Sequence, residues 1–206
     1  MATEPTVYLV DDDSAVLGGL SLLLDTHGFR VVTFSNAQAL LTSCRTDWRG
    51  CLITDLNMPG MGGLDLQHCL RERSIHLPII FLTAYGDIPT TVKAMKSGAM
   101  DFLTKPIDSA RLLNALRAAL DLDARLAQER QIEHNRRNRL GSLSEREREV
   151  LDLALKGLSN KDIARRLSIS HRTVEVHRSH ILSKTGAGNL LELAAYGSHP
   201  PDAEPS

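Results

Sequence analysis

Short apolar runs alternate with amphipathic stretches through the first half of the chain. Short runs rich in β-branched residues predict buried strands, whereas apolar residues three or four apart, as from Val16 to Leu24, predict helices. The predicted strands are Val7–Val10, Val31–Phe34, Leu52–Thr54, Ile79–Leu82 and a weaker run, Asp101–Thr104. Strands and helices that alternate in this way form a parallel sheet with helices on both faces. We therefore expect a doubly wound α/β fold with five strands in the order 2-1-3-4-5.

Glycine and proline mark the ends of two predicted helices. Gly28 follows the first helix and Gly98 the fourth, and glycine readily adopts the left-handed conformation that ends many helices. Pro89, preceded by Asp87, marks the start of that fourth helix.

A fifth helix is predicted to continue beyond the sheet. From Asp108 to about residue 138 the chain contains no proline or glycine. The distal part, Gln128–Arg139, is strongly polar, which fits either a solvated helix or a flexible linker. We expect a continuous helix that ends at Gly141.

The remainder of the chain predicts a small all-helical domain. The segment 142–195 has no strand-like run and is predicted to form four short helices, the last over Asn189–Ala195. Ser144, followed by Glu147 three residues later, predicts a capping box at the start of the first of them. Ser168–Ser170 predicts a three-residue turn before a basic helix that ends near Lys184. Two short helices joined by a tight turn are typical of a helix-turn-helix.

Composition narrows the class of protein. The chain has 206 residues, of which 42% are hydrophobic and 24% charged, and this suffices for two globular domains. Its apolar runs are far shorter than the roughly 20 residues of a membrane-spanning helix. The first residues lack a secretory signal pattern, and the three cysteines lack C-x-x-C spacing, as in proteins of a reducing compartment. We expect a soluble, cytoplasmic protein that does not bind membranes.

The net charge of −1 conceals a basic segment. Between Asn160 and Lys184 the chain carries six basic and two acidic residues, a local charge of +4. Such an excess indicates a polyanionic partner, although a helical interaction module with a solvated basic face is an alternative.

Carboxylates follow two strands that are neighbours in the predicted sheet. Asp11 and Asp12 follow the first strand and Asp55 follows the third. Ligands bind such sheets where the strand order reverses, so we expect these residues to converge, with Thr83 and Lys105 beside Asp55. Three carboxylates in one crevice need a cation, and Mg²⁺ prefers such oxygen ligands. Asp55 can then attack a phosphoryl group, with Mg²⁺ and Lys105 offsetting its charge.

This set of residues resembles the receiver domain of bacterial two-component response regulators. The resemblance rests on Asp11-Asp12, Asp55 with the following Leu-Asn-Met-Pro-Gly, Thr83, and Lys105-Pro106. It covers about residues 4–122 and implies a flavodoxin/CheY-like receiver domain with Asp55 as phosphoacceptor. Asp12 and Asp55 are implied to bind Mg²⁺ directly, Asp11 to act through water, and the carbonyl of Asn57 to add a ligand.

The resemblance also implies roles around the phosphoryl group. Thr83 is expected to hydrogen-bond it, and Lys105 to pair with it across a cis peptide bond before Pro106. Phe102 matches the aromatic residue that changes rotamer in these domains, although its position also fits an ordinary core residue.

A second resemblance lies in the basic segment. The runs Gly-Leu-Ser-Asn-Lys-Asp-Ile-Ala and Thr-Val-x-x-His-Arg resemble the LuxR-type DNA-binding domain, and the whole chain resembles FixJ/NarL-type transcriptional regulators. The resemblance implies that the helix 170–184 enters the major groove of DNA. The implied DNA-binding residues are Lys161, Arg172, Thr173, Val176, His177 and, at a phosphate, Lys184. Thr185 departs from the family pattern, in which leucine usually follows that lysine.

Together the two resemblances predict the organisation and partners of the chain. We expect a receiver domain (4–122), a helical linker (123–140), a LuxR-type helix-turn-helix domain (141–199) and a disordered tail (200–206). The implied partners are a sensor histidine kinase, promoter DNA, RNA polymerase and a second copy of the phosphorylated chain.

Two other functions fit parts of the sequence. A phosphatase or phosphotransferase of the haloacid dehalogenase type also uses an aspartate covalently, but it needs a second carboxylate two residues later, where this chain has Asn57. The sequence therefore favours a non-enzymatic protein. A signalling adaptor that never touches DNA fits the receiver but leaves the basic helix unexplained.

Overall fold

The computed structural model describes residues 4–84, 98–190 and 192–193. It divides into two compact units, Met1–Gln128 and Glu129–Ser206. The helix predicted to begin near Pro89, parts of the predicted last helix and the predicted tail at 200–206 lie outside the described residues.

Five parallel strands form the sheet of the first unit. They are β1 (Thr6–Val10), β2 (Val31–Phe34), β3 (Gly50–Asp55), β4 (Ile79–Thr83) and β5 (Asp101–Thr104). Their order is β2-β1-β3-β4-β5, which confirms the predicted doubly wound topology. β3 begins two residues before the predicted strand and includes Asp55 as its last residue.

Helices cover both faces of this sheet. They are α1 (Ser14–Thr26), α2 (Ala37–Ser43), α3 (Gly63–Glu72) and the first part of α4 (Ser109–Gly141). Along β1, Val7 and Leu9 pack into an apolar cluster with residues of α1 and α4, while Tyr8 and Val10 pack into a second cluster with residues of α2 and α3. Successive side chains of a strand point to opposite faces, so a sheet covered on both sides requires the nearly continuous apolar runs seen in the sequence.

The long helix α4 is continuous, as predicted. Its buried residues lie in its first half, and the last of them is Asp123. The Asp123 carboxylate accepts a hydrogen bond of 2.8 Å from Nε of Arg49, which lies just before β3. Residues 128–139 are exposed, and pairs four residues apart, such as Glu133 with Arg137 at 3.3 Å, support the helix there.

Within the described residues of the second unit, three helices that follow α4 surround a small apolar core. They are α5 (Glu145–Leu155), α6 (Asn160–Leu167) and α7 (His171–Thr185), and the core includes Val150, Ile163, Val174 and Ile181. The predicted capping box of Ser144 and Glu147 is present. Between α6 and α7 the chain turns at Ser168, whose φ of 55° is left-handed, and Ser170 caps α7. The predicted helix-turn-helix is therefore confirmed.

Among the residues that the structure describes, no helix combines the length and the apolar character that crossing a membrane would require.

Candidate functional site

Three carboxylates meet at the carboxyl end of the sheet. β1 pairs with β3 in a register that places Val10 beside Thr54, so the residues that follow, Asp11 and Asp55, lie side by side. Oxygens of Asp11, Asp12 and Asp55 all lie within 4.8 Å of one another. Asp11 and Asp55 are buried, whereas Asp12 is exposed. The predicted convergence of these residues is observed.

A lysine neutralises part of this charge. Nζ of Lys105 donates hydrogen bonds to Oδ2 of Asp11 at 2.7 Å and to Oδ2 of Asp55 at 3.0 Å. Burial tends to lower the pKa of the Lys105 ammonium, but the bonds to the two carboxylates outweigh it and hold that pKa above its ordinary value. Lys105 is therefore a fixed positive charge beside Asp55. The Lys105-Pro106 peptide bond is cis, as the receiver resemblance implied.

The donor set fits a hard divalent cation. Three carboxylates and one ammonium leave two negative charges in the crevice, and carboxylate oxygens are ligands that Mg²⁺ accepts. Asn57, the implied carbonyl ligand, lies at this edge of the sheet. Its backbone N–H donates a hydrogen bond of 3.4 Å to Oδ1 of Asp55. The cation would be held by the carboxylates and would offset charge on an incoming phosphoryl group.

Thr83 and Phe102 lie on the neighbouring strands. Thr83 is the last residue of β4, is fully buried, and its carbonyl accepts a hydrogen bond of 2.7 Å from the Lys105 amide. The Phe102 side chain is also buried, with its ring centroid 6.5 Å from that of Phe81. This placement fits a core residue, and the rotamer change that the resemblance implies stays a prediction.

Two residues of this site were not singled out in the sequence. The Asp13 amide donates to Oδ1 of Asp11 at 2.9 Å, while its own carboxylate caps α1. Gly63 begins α3, and a Cβ there would lie 2.5 Å from the Asp55 carbonyl and 3.0 Å from the Phe81 ring. The signal for Gly63 in the sequence is the pair Gly62-Gly63 shortly after Asp55, because glycine is favoured where the backbone must approach another group closely.

The second unit presents the predicted DNA-binding residues on α6 and α7. Arg172 and Lys161 are exposed, Val176 is 45% exposed although it is apolar, and Thr173 and His177 are half-buried. The Thr173 amide donates to the Ser170 hydroxyl at 3.0 Å, which fixes the first turn of α7.

Two basic side chains of α7 have protein partners that the sequence did not reveal. Nζ of Lys184 donates to Oε2 of the buried Glu147 at 2.7 Å, while the lysine side chain remains 41% exposed. Arg178 is half-buried and donates to Oδ1 of Asn160 at 2.9 Å, joining α7 to α6. Lys184 therefore has a structural contact in addition to its predicted contact with DNA, since an ammonium offers three donors.

The fold and the acidic crevice define a receiver domain, and the capped basic helix defines a helix-turn-helix domain. Residues 7–117 match the family described as the response regulator receiver domain, and residues 141–196 match bacterial regulatory proteins of the luxR family. The chain belongs to the response regulators with a LuxR-type DNA-binding domain, and it is a transcriptional regulator of a two-component system.

Full-length relatives share both parts. The chain is 42% identical over 187 residues to the transcriptional regulatory protein FixJ of Azorhizobium caulinodans, which covers 91% of this chain and 89% of that protein. It is 43% identical to the response regulator protein TodT of Pseudomonas putida, over 91% of this chain and 82% of that one. The solved structure of the response regulator StyR, 43% identical, covers 94% of this chain and 99% of its own, with a TM-score of 0.85.

Proposed function

We propose that Asp55 accepts a phosphoryl group from a sensor histidine kinase and that this controls binding of the second unit to promoter DNA. The observation that carries the proposal is the Asp55 carboxylate, which accepts a hydrogen bond from the Lys105 ammonium and lies within 4.8 Å of oxygens of Asp11 and Asp12. Nucleophile, cation site and fixed positive charge are then in one crevice, as phosphoryl transfer requires.

Asp12, Asp55 and the Asn57 carbonyl would hold Mg²⁺, with Asp11 acting through a water molecule. When bound, Mg²⁺ supplies Lewis-acid stabilisation of the phosphoryl oxygens. Lys105 would pair with one of those oxygens, because it already donates to Asp55, and Thr83 would donate its hydroxyl to another. Phe102 would follow Thr83 by changing rotamer.

In the second unit, α7 would enter the major groove. Arg172, Thr173, Val176 and His177 would face base edges, and Lys161 and Lys184 the phosphate backbone. The exposure of Arg172 and of the apolar Val176 supports this orientation.

The assembly and setting follow from the same proposal. The chain would comprise a receiver domain (4–122), a linker (123–140), a DNA-binding domain (141–199) and a tail (200–206). It would form a homodimer when phosphorylated and act on RNA polymerase at promoters, in the cytoplasm where bacterial DNA lies. It would not turn over substrates, since Asn57 stands where a phosphatase would carry its second carboxylate.

The test is labelling of the full chain by a small acyl phosphate with Mg²⁺, in which alkali or hydroxylamine should release the label, as expected of an aspartyl phosphate. The parent should be labelled at one residue, and Asp55→Asn should not, because the amide keeps the shape but is no nucleophile. Omitting Mg²⁺ or introducing Asp12→Ala should also suppress labelling. Asp25→Asn, at an exposed carboxylate of α1, is the control and should label like the parent. Equal labelling of Asp55→Asn and the parent would contradict the assignment of Asp55 as the phosphoacceptor.

A further inference from the structure

The carboxyl-terminal end of α7 is held by a side chain from the linker helix α4. The last carbonyls of a helix have no partner within it. The Thr185 carbonyl accepts a hydrogen bond of 3.2 Å from Nη1 of Arg139. The guanidinium lies against the turn itself, because a Cβ at the following Gly186 would be 3.1 Å from that same nitrogen.

The end of α4 is in turn fixed to the second unit. Leu140 packs against its apolar core, and the Gly141 carbonyl accepts a hydrogen bond of 2.9 Å from Nη2 of Arg148 on α5. Arg139 therefore reaches α7 from a segment that does not move independently of this unit.

Charge and geometry both favour this contact. A cation at the carboxyl end of a helix interacts favourably with the helix dipole, and Gly186, at φ 67°, provides the left-handed cap that leaves room for it. Lys184, one residue before Thr185, is bound to Glu147. The last turn of α7 is thus held from two sides, by α5 and by the linker.

We propose that Arg139 is a positioning residue for DNA recognition, which acts through the last turn of α7 and does not touch DNA. The proposal rests on the proposed function, in which α7 reads base edges. Small displacements of a recognition helix remove hydrogen bonds to bases, since these depend on short distances and good alignment. Fixing the carboxyl-terminal end of α7 therefore determines where Arg172 and Val176 lie relative to the bases.

The experiment measures binding of the full phosphorylated chain to its selected DNA sites over a range of salt concentrations. Arg139→Leu keeps helix propensity but loses the donor, whereas Arg139→Lys keeps one charged donor. The matched control is Arg137→Leu, which removes the same charge from an exposed side chain that pairs within α4 with Glu133. Every variant is measured below its own melting temperature.

We expect Arg139→Leu to bind selected sites about 10-fold more weakly, with an unchanged slope of log affinity against log salt. Arg139→Lys should recover part of the loss, and Arg137→Leu should bind within about 2-fold of the parent. Exchange of the Gly186 amide hydrogen, which bonds the Leu182 carbonyl at 2.8 Å, should accelerate in Arg139→Leu only.

Three results would overturn the proposal. If Arg139→Leu binds DNA as tightly as the parent, Arg139 does not position α7. If the salt slope of Arg139→Leu falls by about 1, Arg139 contacts a phosphate directly. If Arg137→Leu loses as much affinity as Arg139→Leu, the loss is a general effect of linker charge. The proposed function fails separately, if Val176→Ala and His177→Ala leave sequence preference unchanged.

Discussion

Glu147 is a buried carboxylate that joins two helices of the second unit. Its Oε2 accepts hydrogen bonds from the Ser144 amide at 2.7 Å and from Nζ of Lys184 at 2.7 Å. The Lys184 ammonium and the Ser144 amide lower the pKa of Glu147 from 4.5 to about 2. One side chain thus caps α5 and anchors the end of α7.

This pKa shift predicts a pH-dependent stability of the second unit. Because the folded-state pKa lies below the unfolded value, the stabilisation is present above about pH 5 and is lost as the pH falls through 2. At neutral pH, Glu147→Gln should lower the free energy of opening by about 1.5–3 kcal/mol. Hydrogen exchange of the α5 and α7 amides in the full chain measures this free energy of opening.

Glu145→Gln is the control for that measurement, since Glu145 is an exposed carboxylate in the same first turn. It should stay close to the parent at every pH. The difference between the parent and Glu147→Gln should shrink between pH 5 and pH 3, and a constant difference would contradict the assigned role of the charge.

At the residue scale, the sequence predicts the groups whose position depends on strand ends alone. Asp11, Asp55 and Lys105 follow directly from parallel strands ending at one edge. The Lys184–Glu147 pair could not be predicted, because it joins residues 37 positions apart whose meeting depends on how α5 packs against α7. Local periodicity gives the buried face of each helix but not the partner that it meets.

The helix α7 is the element that we propose to read the DNA sequence. Its Val176 is one of the large apolar side chains that stay exposed within the described residues. In the proposed docking, Val176 would contact a thymine methyl group and His177, beside it, would contact a base edge.

Val176→Ala or His177→Ala should therefore change sequence preference, with a cost of about 1–3 kcal/mol at the affected base pair. Selection of binding sites from a random DNA pool, followed by affinity measurements, tests this. Leu22→Ala truncates another exposed apolar side chain, on α1, and should leave the preference unchanged. Unchanged selectivity in both α7 variants would mean that α7 does not read bases.

At the element scale, the ends of helices could be predicted where capping residues, proline or glycine determine them. The Ser144 cap and the Ser168–Ser170 turn placed the starts of α5 and α7 correctly, and the absence of proline and glycine after Asp108 indicated the continuous α4. The left-handed Ser168 in the turn was not foreseen, because serine carries no strong preference for that conformation.

At the scale of the whole molecule, we expect phosphorylation of Asp55 to promote self-association of the chain. A phosphoryl group adds a charge of about −1.5 to −2 beside Lys105, which should draw Thr83 and Lys105 towards it. If Phe102 then moves into the vacated space, the face that includes β5 changes shape. Sedimentation of the chain with and without acyl phosphate should show self-association only after phosphorylation, and equal behaviour would contradict it.

The central claim is that a phosphoryl group on Asp55 controls DNA binding. The most direct measurement is footprinting on selected sites, by the parent and by Asp55→Asn, each with and without acyl phosphate and Mg²⁺. We expect the phosphodonor to strengthen protection by the parent only, over two related half-sites about one helical turn apart. Equal strengthening in Asp55→Asn, or no response of the parent, would contradict it.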